Sequence, residues 1–142
     1  MGGPIVKLEG SYLVWSTVSD APVAFGMTRD ELEAWHRDEY GRHGAFAQRM
    51  ERVDTTGTSF CAYGVRSAED TIWLNRAGPN EARLHREEIV EFYVRRHEAP
   101  TAEALAEMRE GAVACSPCGF ADGGRFCACW GSGVRYPGKD PA

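Results

Sequence analysis

The chain has 142 residues, 43% of them hydrophobic and 11% aromatic, and carries a formal net charge of -5. That length and composition suit one ordinary hydrophobic core and exclude a chain that is disordered over most of its length. The negative balance argues against gripping duplex nucleic acid through a broad basic face, and no apolar run approaches the ~20 residues of a membrane span.

Met1-Gly2-Gly3-Pro4-Ile5-Val6-Lys7 has no basic-then-apolar leader, and Val6 breaks the acylation pattern that Gly2 suggests, so a cytoplasmic protein is expected. The charge is uneven: residues 1–110 sum to -6 and residues 111–142 to +1. The basic residues are 14 Arg against Lys7 and Lys139, and there are three Ile, a skew that points to a GC-rich genome rather than to a mechanism.

Tyr12 to Val18, rich in β-branched and aromatic residues, predicts a strand, and Val23 to Met27 a second after the turn Ser19-Asp20-Ala21-Pro22. Thr28 with Glu31 three residues on forms a capping box, and Leu32, Trp35, His36 and Tyr40 share one helical face until Gly41. A shorter helix follows from Ala45 through Phe46, Met50 and Val53, then a loop over Asp54-Thr55-Thr56-Gly57. Ser59 to Val65 alternates and predicts a strand, which Ser67-Ala68-Glu69-Asp70 turns into another, Thr71 to Leu74. Beyond a loop at 75–80, one helix runs through Ile89, Phe92, Tyr93 and Arg96; Pro100-Thr101 caps a last one through Leu105 and Met108 to Gly111. Met27–Leu32 and Leu84–Ile89 echo each other, each setting an apolar residue, a cap and an acidic turn before the apolar stripe.

The expected fold is therefore α+β over residues 1–111: a small, mostly antiparallel sheet of four or five strands under three or four helices. Val14, Trp15, Phe60, Tyr63, Ile72 and Trp73 are expected to share one core with Leu32, Trp35, Ile89 and Phe92.

Residues 112–142 differ, with Cys and Gly in place of periodic apolar residues. Cys115-Ser116-Pro117-Cys118-Gly119 has the form of a zinc knuckle, since two thiolates two residues apart can meet one ion while the turn aims backbone N–H groups at the sulfurs. After an eight-residue spacer, 119–126, Cys127-Ala128-Cys129 supplies two more thiolates, which completes a tetrahedral set. Four protein ligands close the coordination sphere, so this zinc would be structural. Its -2 charge with four thiolates would cancel the apparent basicity of the tail. Disulfides, an Fe–S cluster or redox thiols use the same residues and stay open as alternatives. Cys61, in a predicted strand, is expected to be a small core residue.

Cys129-Trp130-Gly131-Ser132-Gly133 resembles the C-x-G-x-G half-repeat of the zinc region in DnaJ-type chaperones. The first cysteine pair lacks those glycines and the chain has no J domain, so the resemblance implies zinc alone. Residues 12–22 and 26–32, with 54–59 and 75–79, resemble small accessory proteins of actinobacterial phages. That likeness spans roughly 12–93, implies a phage accessory protein in the host cytoplasm, and transfers no site residues.

Other constellations are weaker. His85 and Glu88 at i, i+3 suit a metal–carboxylate site, but a helix cap explains them more simply. His36 could be a general base, though no nucleophile pairs with it in the sequence, and Asp54-Thr55-Thr56-Gly57 fits neither the Asp-Thr-Gly nor the Asp-x-x-Gly-Thr pattern well. The functional expectation is a non-enzymatic protein-binding protein with one structural zinc. The alternatives are a nucleic-acid-associated protein, with Phe126, Trp130 and Tyr136 stacking on bases beside Arg125 and Arg135, and an enzyme built around His36, Asp54 or His85.

Overall fold

A computed structural model of the chain describes residues 3–41, 45–60, 67–115 and 129–139. Three antiparallel strands, β1 (Ile5–Leu8), β2 (Ser11–Ser16) and β3 (Ala21–Met27), form a sheet in the order β1-β2-β3. Five α-helices accompany it among the described residues: α1 (Arg29–Tyr40), α2 (Phe46–Thr56), α3 (Ala68–Trp73), α4 (Arg86–Ile89) and α5 (Ala102–Arg109). The architecture is α+β as expected, with a smaller sheet and more helix.

Two differences from the sequence expectation explain this. Thr71–Leu74 is not a strand: residues 68–73 are helical, because Ser67 and Asp70 form a reciprocal capping box, Asp70 N–H to Ser67 Oγ at 3.0 Å and Ser67 N–H to Asp70 Oδ2 at 3.1 Å. The cap satisfies two orphan donors, and burial of Ile72 and Trp73, with Ile72 in the core of Leu13 and Trp15, outweighs their β propensity. Asp54-Thr55-Thr56 likewise continues α2, which stops only at Gly57 in the left-handed region. Of the strand expected at 59–65, residues 61–65, with Cys61 and Tyr63, lie outside the described residues. Its start runs along β1, with Thr58 bridged to Val6 and Ser59 N–H donating to Ile5 O at 2.9 Å.

The sheet is buried on both faces, so the single expected core divides into two. Tyr12 and Val14 of β2 join Ile5, Leu32, Met50 and Val53 beneath α1 and α2. Leu13 and Trp15 point the other way, into Ile72, Leu84, Ile89, Phe92 and Leu105. Alternate residues of one strand feed different cores, which is why residues 12–15 are apolar without alternation. Trp35 and Phe60 are only half-buried.

β3 is bulged against β2. Tyr12 pairs with Met27 but Val14 with Ala24, leaving an extra residue on β3 where Gly26 has φ +67°. Both echoed segments are helix starts with reciprocal caps, Thr28 with Glu31 and His85 with Glu88. Only the first follows a strand. α4 runs on into π-helical turns at Val90–Arg95, placing Phe92 and Tyr93 in the core. No helix among the described residues is long and apolar enough to cross a membrane.

Candidate metal centre and its buried anchor

After α5 the chain forms a short antiparallel ladder, β4 (Val113–Ala114) with β5 (Val134–Arg135), in which Val113 faces Arg135 and Ala114 faces Val134. Cys115 extends that ladder by donating its N–H to Gly133 O at 2.9 Å. Cys129 lies four residues before Gly133 in a turn closed by Ser132 N–H to Cys129 O at 3.0 Å, with Ser132 Oγ accepting the Val134 N–H at 3.2 Å. The hairpin thus brings the first and last cysteines of the expected set to one end of the tail, Cys115 half-buried and Cys129 wholly buried. Cys118 and Cys127 lie outside the described residues, as do Arg125 and Phe126. Among the described residues no three His, Cys, Asp or Glu side chains gather as a metal-binding group, so a complete site would need those two further thiols. Cysteine sulfur is the donor type that tetrahedral zinc uses, and Cys115 and Cys129 are the two of the expected four that the structure describes.

The hairpin is anchored to the body through Glu88, whose side chain is fully buried. It accepts four hydrogen bonds. Oε1 takes the His85 N–H at 2.8 Å and Arg109 Nη2 at 2.9 Å, while Oε2 takes Arg109 Nε at 2.7 Å and the Tyr136 hydroxyl. A carboxylate with this many donors offsets its desolvation, as an unpaired one would not. The ion pair raises the Arg109 guanidinium further, and burial followed by Glu88 pushes the Tyr136 phenol up.

His85, the candidate metal or catalytic histidine, is a cap. Its Nδ1 accepts the Glu87 N–H at 2.9 Å, and its buried ring stands edge-on to Tyr136 at 5.1 Å. Tyr136 is 5% exposed, so the ring expected to stack on a base is packed against His85 and bonded to Glu88. Trp130 is half-buried against the larger core, while Arg135 sits in β5. Gly131, one glycine of the C-x-G-x-G half-repeat, has φ +76°, and a Cβ there would lie 2.5 Å from Arg83 Nη1. Arg83 in turn lies over the Trp73 ring at 5.2 Å, so this glycine lets the tail close on the body.

The remaining candidates lie apart. His36 on α1 is 3% exposed between the rings of Tyr40 and Phe46, and its Nε2 finds no hydrogen-bond partner among the described residues. Burial, helped by the Arg49 charge, holds its pKa below the ordinary histidine value. Asp54 near the end of α2 is exposed and paired with Arg29 through two bonds of 3.0 and 3.3 Å, which lower its carboxyl. It borders a groove of about 600 Å³ between α1 and α2, with Glu33, Phe46, Met50 and Glu51, and neither His36 nor His85 reaches that groove. The three residues do not converge.

The sequence offered Glu88 as a cap or as a metal–carboxylate partner of His85, and Tyr136 as a base-stacking ring; Arg109 carried no pattern, and nothing linked the three. Their 21- and 48-residue separations from Glu88 are bridged only by the fold. Comparison with family models, with curated proteins and with solved structures finds no match to this chain.

Proposed function

We propose that this chain is a non-enzymatic binding protein whose tail is a structural zinc module of Cys115, Cys118, Cys127 and Cys129. The observation that supports the metal part is the β4–β5 hairpin, in which the Cys115 N–H bonds Gly133 O, four residues after Cys129. Closed thiolate coordination gives the metal no open position for a substrate or water. Its role is to order a glycine-rich segment that has too little apolar surface to order itself.

The binding part rests on α1. Its exposed face carries Asp30, Glu31, Glu33, Asp38 and Glu39 against Arg29 and Arg37, concentrating much of the net charge on one helix. Such a face favours a partner protein with a basic docking surface. The resemblance of residues 12–93 to phage accessory proteins suits a protein that acts on a host or phage protein in the host cytoplasm. The burial of Tyr136 weighs against the nucleic-acid alternative, because a packed ring has no face for a base.

Metal analysis of the purified chain tests the first part. One zinc per chain is expected, with the four cysteines alkylating only after a chelator is added. Well under one zinc, together with a tail that stays ordered in chelator, would assign its order to disulfides or packing. The second part is tested by reversing charge at Glu33 and Glu39 to Lys. A stoichiometric complex formed by the wild type should be lost in the variant and should weaken with salt.

A further inference from the structure

The groove of about 600 Å³ between α1 and α2 joins an apolar strip to an uneven charge. The strip belongs to α2: Ala47 is exposed, Phe46 is half-buried, and Met50, one helical turn on, lies at the bottom. At one end Arg29 and Asp54 tie the start of α1 to the end of α2 through bonds of 3.0 and 3.3 Å and neutralise each other. The charges that remain are Glu33 on the α1 wall and Glu51 on the α2 wall. Glu33 meets Arg37 at 3.4 Å across an exposed helical turn, a pair that contributes little in water. Glu51 has no ion pair among the described residues. Both walls are helices whose backbone groups are paired internally, so the groove offers no ladder to an extended segment.

We propose that this groove is the docking site for an amphipathic helix of a partner protein, with large apolar side chains at i and i+4 and Lys or Arg flanking them on both sides. This assignment rests on the protein-binding reading above and names the element of the partner that is recognised. A segment that enters an apolar groove takes its own backbone out of water, and a helix arrives with those hydrogen bonds already made. Its apolar face covers Phe46, Ala47 and Met50, while Glu33 and Glu51, on opposite walls, each meet a cation. A wholly apolar occupant would leave both carboxylates facing a low-dielectric surface without a partner. A second copy of α1 would set carboxylate against carboxylate, since that helix carries Asp30, Glu31, Glu33, Asp38 and Glu39.

The test is a displayed library of random peptides, about four helical turns long, selected against the full wild-type chain, with the enriched peptides then titrated by fluorescence anisotropy. Enriched peptides should carry apolar residues at i and i+4 flanked by Lys or Arg, gain helical circular dichroism on binding, and bind less tightly as salt rises. Glu51→Lys should weaken them about tenfold, and Ala47→Trp, which fills the groove from an exposed position, should abolish binding. Circular dichroism confirms that each variant is folded; should Ala47→Trp fail to fold, Glu51→Lys decides, with weaker binding supporting the proposal and unchanged binding overturning it. Glu39→Lys, on α1 but outside the groove, separates this proposal from the reading on which it rests. Binding lost in Glu39→Lys but unchanged in Ala47→Trp and Glu51→Lys would keep the acidic face of α1 and overturn the groove. Peptides indifferent to all three variants would overturn both. Enrichment of acidic peptides, of apolar peptides without cations, or of none would overturn the proposal. So would a wild type that is dimeric by light scattering and becomes monomeric in Ala47→Trp, because a second copy would then fill the groove.

Discussion

His36 shows how one buried side chain sets a pH dependence. Its folded-state pKa lies below the ordinary histidine value, because the ring is buried between Tyr40 and Phe46 near the Arg49 charge. Above about pH 6.5 the histidine is neutral in both folded and unfolded chains and costs nothing. As pH falls through that value the unfolded chain takes up the proton first, so stability is lost toward the lower folded-state pKa. Urea midpoints should therefore drop between pH 7 and pH 5, and His36→Leu should flatten that drop. An unchanged slope in the variant would locate the dependence elsewhere. The lowered carboxyls of Glu31, Asp54 and Glu91 act in a separate window, near and below pH 4, where their protonation removes stability. Gly26 is a second single-residue constraint. Its φ of +67° disfavours any L side chain, and an added Cβ would lie 2.8 Å from the His97 ring. Gly26→Ala should cost about 1–3 kcal/mol by chemical denaturation. A neutral result would show that the bulge relaxes.

At the scale of elements, helix starts are the best-specified feature of this chain. Thr28 with Glu31 and Thr101 in front of α5 were legible because capping uses residues three apart and needs no tertiary partner. Ser67 with Asp70 obeys the same rule, yet Thr71, Ile72 and Trp73 follow with high β propensity, and the two local preferences conflict. Packing decided between them, since the helical α3 buries Ile72 in the core with Leu13 and Trp15 and buries Trp73 under Arg83. Ser67→Ala should then cost about 1 kcal/mol, read as a shift of the urea midpoint at constant slope. The two cores make a sharper prediction. Phe92 is fully buried and Phe92→Ala should cost about 3–5 kcal/mol, whereas half-buried Trp35, expected from the sequence to matter equally, should cost visibly less on truncation. Equal losses at the two positions would contradict the burial described for Trp35.

On the scale of the molecule, the tail and the body share contacts that a boundary near residue 111 does not suggest. Trp130 packs against the larger core, Cys129 is wholly buried, and Tyr136 reaches Glu88. If zinc orders the tail, removing it should loosen those contacts as well. The chelated protein should melt on the order of 5–10 °C lower in calorimetry, as a ligand bound only to the folded state requires. An unchanged melting temperature in a protein shown to lose zinc would mean that the tail hangs on the body without stabilising it.

What the sequence determined by itself is local or compositional: the α+β class, most of the caps, β2, β3 and α1. Each of these depends on residues within a few positions of one another, where sequence distance and spatial distance are the same thing. The tertiary structure alone decided that β2 divides two cores, that residues 68–73 coil rather than extend, and that Glu88, Arg109 and Tyr136 meet. A buried carboxylate is stable only when its donors converge on it, and these donors come from three distant parts of the chain. Nothing in the neighbourhood of Glu88 in the sequence distinguishes it from a solvated cap; only folding, which removes the water, makes its partners necessary.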